Sequence, residues 1–318
     1  MVDTPQVPAP GTSHAPGVLR FPPLAVPTRR KGSDSPGEPL DPGSNTAARV
    51  MLRPADKLIG LGADLRFYVN VLAQIPMTLK RYPKEVLRLL SEVSFGSGAL
   101  AVIGGTIGVM LGMTLSVGFV VGIQGYAALD QIGASALNGF ISAYFNTREV
   151  APMVAALALS ATVGAGFTAQ LGAMQINEEV DALRAMAVSS VPYLITTRVI
   201  AGFIAIIPLY VIGLLTSYAG ARFVTIVIYG QSAGTYDHYF NLFLPPTDIF
   251  LSFIKVLIFS VMIIMVHCRM GYQATGGPAG VGVAVGRAVR RSLVSVAILD
   301  LILSMALWGA VTTVRIAG

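Results

Sequence analysis

The sequence predicts an all-α, polytopic membrane protein in which amphipathic interfacial helices precede five transmembrane helices. Hydrophobic residues make up 54% of the 318-residue chain and charged residues only 12%, against about 25% charged in an ordinary soluble domain. The mean hydropathy is +0.69. Five apolar runs are long enough to cross a bilayer as helices. These observations place the chain in the membrane class.

Residues 1–53 are predicted to form a disordered, proline-rich cytoplasmic tail. The first 48 residues contain ten prolines and no apolar core of the length that a secretory signal needs. A segment of this composition cannot bury enough apolar surface to fold by itself. We therefore assign it no function.

Residues 54–92 are predicted to form amphipathic helices. Over Pro54–Leu79, apolar residues recur at steps of three and four while charged residues fill the other faces, which gives one apolar stripe on a helix. Because a membrane span follows, we expect this helix to lie in the cytoplasmic interface. A soluble helix packed on a partner is the alternative. Pro83 suits the first position of a second, shorter helix that ends at Glu92.

Residues 93–318 are predicted to form a membrane domain with five spans. Their approximate limits are Gly96–Ile123, Val150–Gly172, Pro192–Ala219, Ile249–Met270 and Leu293–Val314. Small residues recur every fourth position in the first two spans, which lets helix backbones approach closely in lipid. Those assigned to helix packing are Gly104, Gly108 and Gly112 in the first span and Ser160, Gly164 and Gly172 in the second. The glycine-rich segment Gly276–Gly282 is expected to be a flexible cytoplasmic loop.

The distribution of lysine and arginine predicts the orientation. Twelve of the 22 precede Leu89, none lies in Gln124–Thr147, and Arg222 alone lies between Ala221 and Asp248. By the positive-inside rule the N-terminus is cytoplasmic, and five crossings place the C-terminus outside. Because the lysines and arginines behind the net charge of +6 are placed so unevenly along the chain, we expect no nucleic-acid partner. The three histidines are too scattered to propose a metal site.

A short charged segment, residues 177–188, separates the second and third spans. We expect it to form an acidic helix, because Glu178, Glu179 and Asp181 suit the positive end of a helix dipole. Apolar residues, among them Leu183, form a ridge beside them. Such a helix can insert into a groove on a soluble partner and carry motion. An ordinary solvated loop helix is the alternative, and composition alone does not decide between them.

Ionisable residues inside the spans form the second candidate site, because a charge in lipid is costly unless it is paired or hydrated. At about 1.5 Å per residue, Lys255 and Asp300 fall at similar depths in the bilayer. Arg148 and Glu149 at the outer end of the second span could reach Lys255 instead. A structural pair and a role in the transport path are equal alternatives. Tyr126, at the end of the first span, reads as an interface anchor or a ligand contact.

The run TREVAPMVAALALSATVGAGFTAQLGAMQINEEVDALRAMAVSSVPYLITTRVIAG resembles the central signature of the MlaE/YrbE permeases, the membrane subunits of ABC lipid transporters linked to Mce proteins. The resemblance covers roughly Leu58 to Gly309. It implies that the acidic helix is the coupling helix that docks on an ATPase, with residues Glu178, Glu179, Asp181, Ala182, Leu183 and Arg184. It also implies a lipid path near Tyr126 in IQGY, Arg148 and Glu149 in TREVAP, Lys255 in FIKVLIF and Asp300 in ILDLIL.

The resemblance implies the partners as well. An ABC ATPase dimer would bind ATP and Mg, because no lysine here follows a glycine as a P-loop requires. The chain itself is therefore expected to be no enzyme and to hold no cofactor. Mce substrate-binding proteins would supply the lipid, of the fatty acid, mycolic acid or sterol class, with import the expected direction.

The sequence departs from the family pattern at two places inside the membrane. Thr162 stands where the family usually has arginine, and Gln170 where it commonly has glutamate. Their joint loss predicts one permease of a non-identical pair, which resembles the second, B-type YrbE of actinobacterial Mce loci. A paralogous YrbE permease is then the expected membrane partner in the inner (plasma) membrane.

Two functions of other classes remain open on the sequence. One is an ion-coupled secondary transporter that uses Lys255 and Asp300 as a relay. The other is a non-transporting membrane scaffold that anchors the Mce assembly. A stoichiometric ATPase in the purified complex would favour an ABC transporter permease over the secondary transporter and the scaffold.

Overall fold

The computed structural model describes residues 62, 64–95 and 105–309, and every regular element in them is a helix. All of these residues belong to one unit, Leu58–Gly318. The prediction of an all-α protein is confirmed. The predicted tail over residues 1–53 lies outside the described residues.

Three short helices come first: α1 (64–73), α2 (Ile75–Arg81) and α3 (Pro83–Phe95). The single helix predicted to run to Leu79 is wrong, because the chain turns at Gln74 and a new helix starts with Pro76 in its first turn. Proline lacks an N–H group and disfavours helical geometry at the residue before it. The helix predicted from Pro83 is confirmed, and it ends slightly later than expected.

Five helices in the described part are long and apolar enough to cross a membrane, which agrees with the predicted number. They are α4 (Gly105–Asp130), α5 (Ser135–Ile176), α7 (Val191–Ile228), α9 (Pro246–Tyr272) and α10 (Gly277–Trp308). Two short helices lie between them: α6 (Glu179–Ala185) joins α5 to α7, and α8 (Ala233–Leu242) joins α7 to α9.

The predicted start of the second span at Val150 is wrong. Helix α5 begins at Ser135, and its first part buries polar side chains, among them Asn138, Asn146 and Thr147. The Asn138 amide donates hydrogen bonds to the Gly122 carbonyl and the Thr225 hydroxyl, at 3.1 and 2.7 Å. In the sequence these polar residues are typical of a loop, but here they face the interior of the bundle.

The predicted glycine-rich loop is also wrong, because α10 begins at Gly277 and not at Leu293. Gly276 and Gly277 have φ values of 91° and 69°, a region that glycine enters without steric cost. Pro278 follows in the first turn of the helix, where its missing N–H group leaves no intrahelical bond unmade. The connection between α9 and α10 is therefore a tight turn.

Small residues bring α4 and α7 into close contact. A Cβ atom added to Gly122 would lie 3.0 Å from the Ala221 carbonyl oxygen, and one on Gly118 would overlap the Ser217 backbone. Of the predicted residues, Gly112 faces open space within the chain and Gly108 is half-buried. Gly104 lies outside the described residues.

The packing residues predicted on α5 do lie at contacts. Ser160 is fully buried. A Cβ atom on Gly164 would meet the His267 ring at 2.7 Å, and one on Gly172 would meet Val281 at 2.9 Å. Glycine at these positions lets α9 and α10 approach α5.

The described helices define two ends of the bundle. At one end, here called the α6 end, Arg184 of α6 donates to the Tyr272 hydroxyl at 2.6 Å, and Arg269 forms an ion pair with Asp64 of α1. At the opposite α8 end, Arg222 pairs with Asp237 of α8 at 2.9 Å. The surface helices α1–α3 and the short helix α6 therefore share one end.

Candidate functional site

A buried lysine on α9 is the centre of the main polar cluster. The Lys255 ammonium is fully buried and contacts Glu149 Oε2 of α5 at 3.0 Å and Asp300 Oδ1 of α10 at 2.8 Å. It also donates to the Ser304 hydroxyl at 2.7 Å and to the Arg148 carbonyl at 2.9 Å. The Asp300 contact is an ion pair by distance, without the alignment of a hydrogen bond. The structure thus brings Glu149, Lys255 and Asp300 together.

A second ion pair adjoins this Lys255 centre. Arg148 contacts Asp248 Oδ2 at 2.6 Å, and the Trp308 indole N–H donates to the other carboxylate oxygen at 3.0 Å. The Arg148 guanidinium also lies 3.8 Å from the centroid of the Tyr144 ring. Sequence reasoning missed Asp248 and Trp308, because their partners are distant in the chain. It also missed Tyr144, which lies only four residues before Arg148.

The three ion pairs form one charge system across three helices. The cations Arg148 and Lys255 face three carboxylates, those of Glu149, Asp248 and Asp300. Arg148 and Glu149 lie in Ser142–Val150, where α5 widens to π-type hydrogen bonding, a local geometry often found at functional sites. The side chain of Glu149 is 33% exposed, against 13% for Asp300. Glu149 is therefore the side of the cluster open to the surroundings.

Tyr126 lies elsewhere. Its ring stacks on Tyr229 at the end of α7, with centroids 4.0 Å apart and planes 7° from parallel. None of its described ring contacts reaches the Lys255 centre. Helix α4 continues beyond Tyr126 to Asp130, so this residue does not end the span as predicted.

The acidic helix is shorter than residues 177–188. Helix α6 covers Glu179–Ala185, and Glu178 precedes it with a left-handed φ of 60°. The side chains of Glu179 and Asp181 are exposed on the first turn, whereas Val180 is fully buried and anchors the helix to the bundle. The exposed surface of α6 also includes Ala182 and part of Leu183. It is an acidic surface with an apolar margin.

Polar contacts fix α6 against the last turn of α9. Arg184 bonds to Asp181 at 2.7 Å and to the Tyr272 hydroxyl at 2.6 Å, and Ser190 reaches the same hydroxyl at 2.8 Å. Partial burial acts to lower the pKa of Arg184, but the hydrogen bond to Tyr272 and the charge of Asp181 raise it above its usual value. The guanidinium is thus a fixed charge, and a displacement of α6 bears directly on α9.

A third cluster, which the sequence did not reveal, links α5, α9 and α10. Both ring nitrogens of the buried His267 meet hydroxyl groups: Nδ1 contacts Thr168 at 2.8 Å, and Nε2 contacts Ser160 and Ser292 at 3.1 and 3.2 Å. These four side chains are fully buried. The residues that the structure describes include no group of three histidine, cysteine or carboxylate side chains placed to hold a metal ion.

Comparison with known proteins identifies the family. The sequence matches the family of the MlaE permease over residues 95–306. It is 32% identical over 199 residues to the chloroplastic protein trigalactosyldiacylglycerol 1 of Arabidopsis thaliana. The aligned region covers 63% of this chain and 57% of that protein. This chain therefore spans less than two thirds of the Arabidopsis protein.

Bacterial relatives give the same picture. The chain is 31% identical over 188 residues to a probable ABC transporter permease protein of Synechocystis, with 59% of this chain and 72% of that one covered. A probable ABC transporter permease protein of Rickettsia bellii is 30% identical over 181 residues, with 57% and 70% covered. Because the family match takes in α6 and all the residues of the Lys255 centre, the fold, the site and the comparison agree: the chain belongs to the MlaE permease family.

Proposed function

We propose that this chain is the permease subunit of an Mce-linked ABC transporter that moves lipid across the inner (plasma) membrane. A separate ATPase dimer binds ATP and Mg and drives the transport. The names of the Synechocystis and Rickettsia relatives support the transporter class. The name of the Arabidopsis relative refers to a galactolipid, which supports a lipid substrate. Fatty acids, mycolic acids and sterols are the candidate classes, and import is the proposed direction.

The observation that carries the proposal is the placement of α6. It lies between two spanning helices, exposes Glu179 and Asp181, and buries Val180 in the bundle. A partner that binds the acidic surface and moves would act on α5 directly and on α9 through Arg184 and Tyr272. This is the arrangement that a coupling helix requires.

The proposed orientation puts the α6 end in the cytoplasm and the C-terminus outside. The exposed cations of α2 and α3 lie at the α6 end. This position supports the proposed orientation by the positive-inside rule. A paralogous YrbE permease and Mce proteins on the outer side complete the proposed complex. A reporter fused after Gly318 should score as extracytoplasmic and one before Met51 as cytoplasmic. Both termini on one side would contradict the five-span orientation.

Charge reversal on α6 tests the motor assignment. Glu179→Lys combined with Asp181→Lys changes only exposed side chains, so the permease should insert at normal abundance. The ATPase, recognised in the purified complex by its P-loop peptide, should be lost or should no longer stimulate transport. The control is Asp130→Lys, which reverses the charge of an exposed residue at the C-terminal end of α4. This variant should retain the ATPase. Unchanged ATPase recovery and transport in the α6 variant would defeat the assignment.

One observation favours a second candidate function, ion-coupled transport. The Lys255 ammonium contacts two carboxylates, so the centre has more acidic than basic side chains, a composition suited to a proton relay. Transport by the purified permease in an ion gradient without any ATPase would support this function. Binding of lipid and Mce proteins without transport would instead support a scaffold.

A further inference from the structure

The surface helices α1–α3 have an inner side that is already occupied by the spanning helices. Asp64 of α1 pairs with Arg269 of α9, and the amide of Gln170 on α5 donates to Glu92 of α3. The Tyr82 ring packs edge-on against Tyr193 at the start of α7, with centroids 5.2 Å apart. Buried apolar residues complete this side: Val71, Val86, Leu89 and Val93. These helices therefore have a fixed position on the bundle.

The outer side of the same helices is apolar and exposed. Six large apolar side chains are each between 41% and 65% exposed: Leu65, Val69, Leu72, Met77, Leu79 and Leu87. Exposed apolar side chains are also present on the spanning helices, such as Phe203 and Ile204 on α7. In water such a surface would be unfavourable, at roughly 25 cal/mol per Å² of apolar area.

The cations beside this surface have no acidic partner in the described part of the chain. Lys80, Arg81 and Lys84 are exposed around the turn from α2 to α3, and none forms a salt bridge there. The nearby carboxylates are already paired: Arg88 contacts Glu85 at 2.5 Å and Glu92 at 3.5 Å. The hydrogen bond from Arg88 also lowers the pKa of Glu85. Three positive charges thus remain uncompensated within five residues.

We propose that Lys80, Arg81 and Lys84 bind the phosphate groups of anionic phospholipids, while the exposed apolar side chains of α1–α3 enter the acyl region of the same leaflet. Charge complementarity supports this proposal: the exposed cations share α2 and α3 with exposed apolar side chains, and contacts to α5 and α7 hold these helices against the spanning helices. Amphipathic helices with these two features bind anionic membranes, with a contribution of about 1 kcal/mol for each cation near the surface. An acidic protein partner would match the cations but not the six apolar side chains.

The test measures which lipids surround α2 in the full-length protein. Met77→Cys introduces an exposed thiol, whereas the native Cys268 is buried, so a fluorophore attaches selectively at position 77. The labelled protein is placed in nanodiscs of phosphatidylcholine with a minor fraction of phosphatidylglycerol. Either lipid carries a doxyl quencher, at equal mole fraction. Quenching by the anionic lipid should exceed that by the neutral one, and the excess should fall in 0.5 M salt because salt screens exposed charges.

Neutralisation of the three cations supplies the decisive comparison. In the triple variant Lys80→Gln, Arg81→Gln, Lys84→Gln, the excess of quenching by the anionic lipid should vanish. Each single substitution should lower the local enrichment of anionic lipid by about fivefold at most, the equivalent of about 1 kcal/mol. Arg222→Gln removes a cation at the α8 end, and there the excess should remain. Equal quenching by both lipids in the parent, or an excess that survives in the triple variant, overturns the proposal. The proposal is also overturned if the parent shows no lipid preference and the triple variant loses the ATPase. That result would assign this face to a protein partner.

Discussion

Replacing Lys255 with methionine removes the cation that joins three spanning helices. Methionine keeps most of the volume of the side chain, so the change isolates the charge and the hydrogen bonds. The loss leaves Glu149 and Asp300 without the ammonium that contacts both, and it removes the donor to Ser304 and to the Arg148 carbonyl. The expected result is a less stable protein.

The exposure of each partner sets the size of the effect. Breaking a buried ion pair by removing one partner costs roughly 3–5 kcal/mol. The Glu149 side chain is 33% exposed and is partly stabilised by its surroundings, whereas that of Asp300 is 13% exposed. We therefore expect about 3 kcal/mol, the low end of the range, mainly from Asp300. On the scale of soluble domains this is a fall in Tm of roughly 6–12 °C.

The assay is thermal unfolding of the purified permease in detergent, followed by the monodisperse fraction after heating. Lys255→Met with Asp300→Asn removes the stranded charge and should recover most of the lost stability. Lys255→Met with Glu149→Gln should recover less, because Glu149 is the more exposed carboxylate. Transport then separates the roles: a recovered but inactive double variant means that the charges serve the lipid or proton path. Recovered transport means that they only fix helix register.

Two results would refute the reasoning. If neither double variant is more stable than Lys255→Met alone, the ion pairs do not stabilise the bundle. If Glu149→Gln rescues better than Asp300→Asn, the ranking by burial is wrong.

Three further predictions concern the α6 end and the histidine cluster. His267→Ala should cost about 1–2 kcal/mol in the same unfolding assay, less than Lys255→Met, because hydrogen bonds between spans are weak on average and the freed hydroxyls can bond to carbonyls of their own helices. Gln170→Glu should change stability little by itself, because the new carboxylate would attract Arg198 and repel Glu92. Arg198 donates to Gln170 at 3.3 Å, and Gln170 donates to Glu92. With Glu92→Gln added, the repulsion is removed and Gln170→Glu should be stabilising. Ala187→Gly should slow hydrogen exchange in α6, because it relieves the strain of a left-handed φ of 59°, which costs about 1 kcal/mol. Ala185→Gly, inside α6, should instead speed the exchange, because glycine destabilises a helix interior.

Apolar runs predicted the spans because lipid demands long helices whose backbone groups are satisfied internally. The same reasoning misplaced their limits. The apolar run predicts the second span only from Val150, although α5 begins at Ser135 and buries the side chains of Asn138 and Asn146 in the bundle. Gly277 and its neighbours made the start of α10 read as flexible, although Pro278 and left-handed glycines begin a helix there. Periodicity does not show whether a polar residue faces water or a neighbouring helix.

The candidate site was found only in part for a similar reason. The depth argument brought Lys255 and Asp300 together because both are charges within apolar runs. Asp248 escaped notice since it lies at the first turn of α9, where an acidic residue needs no special explanation. The contacts of His267 with Ser160 and Thr168 join residues about a hundred positions apart. Only the packing of α5 against α9 makes such contacts visible.

The central claim, that a separate ATPase drives this permease through α6, is tested most directly by site-specific cross-linking. A photoreactive amino acid replaces Met186, 66% exposed just after α6, or Ile132, 75% exposed at the opposite end. We expect an adduct from position 186 that contains a P-loop peptide and binds ATP, and none from position 132. Equal capture of the ATPase at both positions, or no capture at 186 in a complex that retains the ATPase, would contradict it.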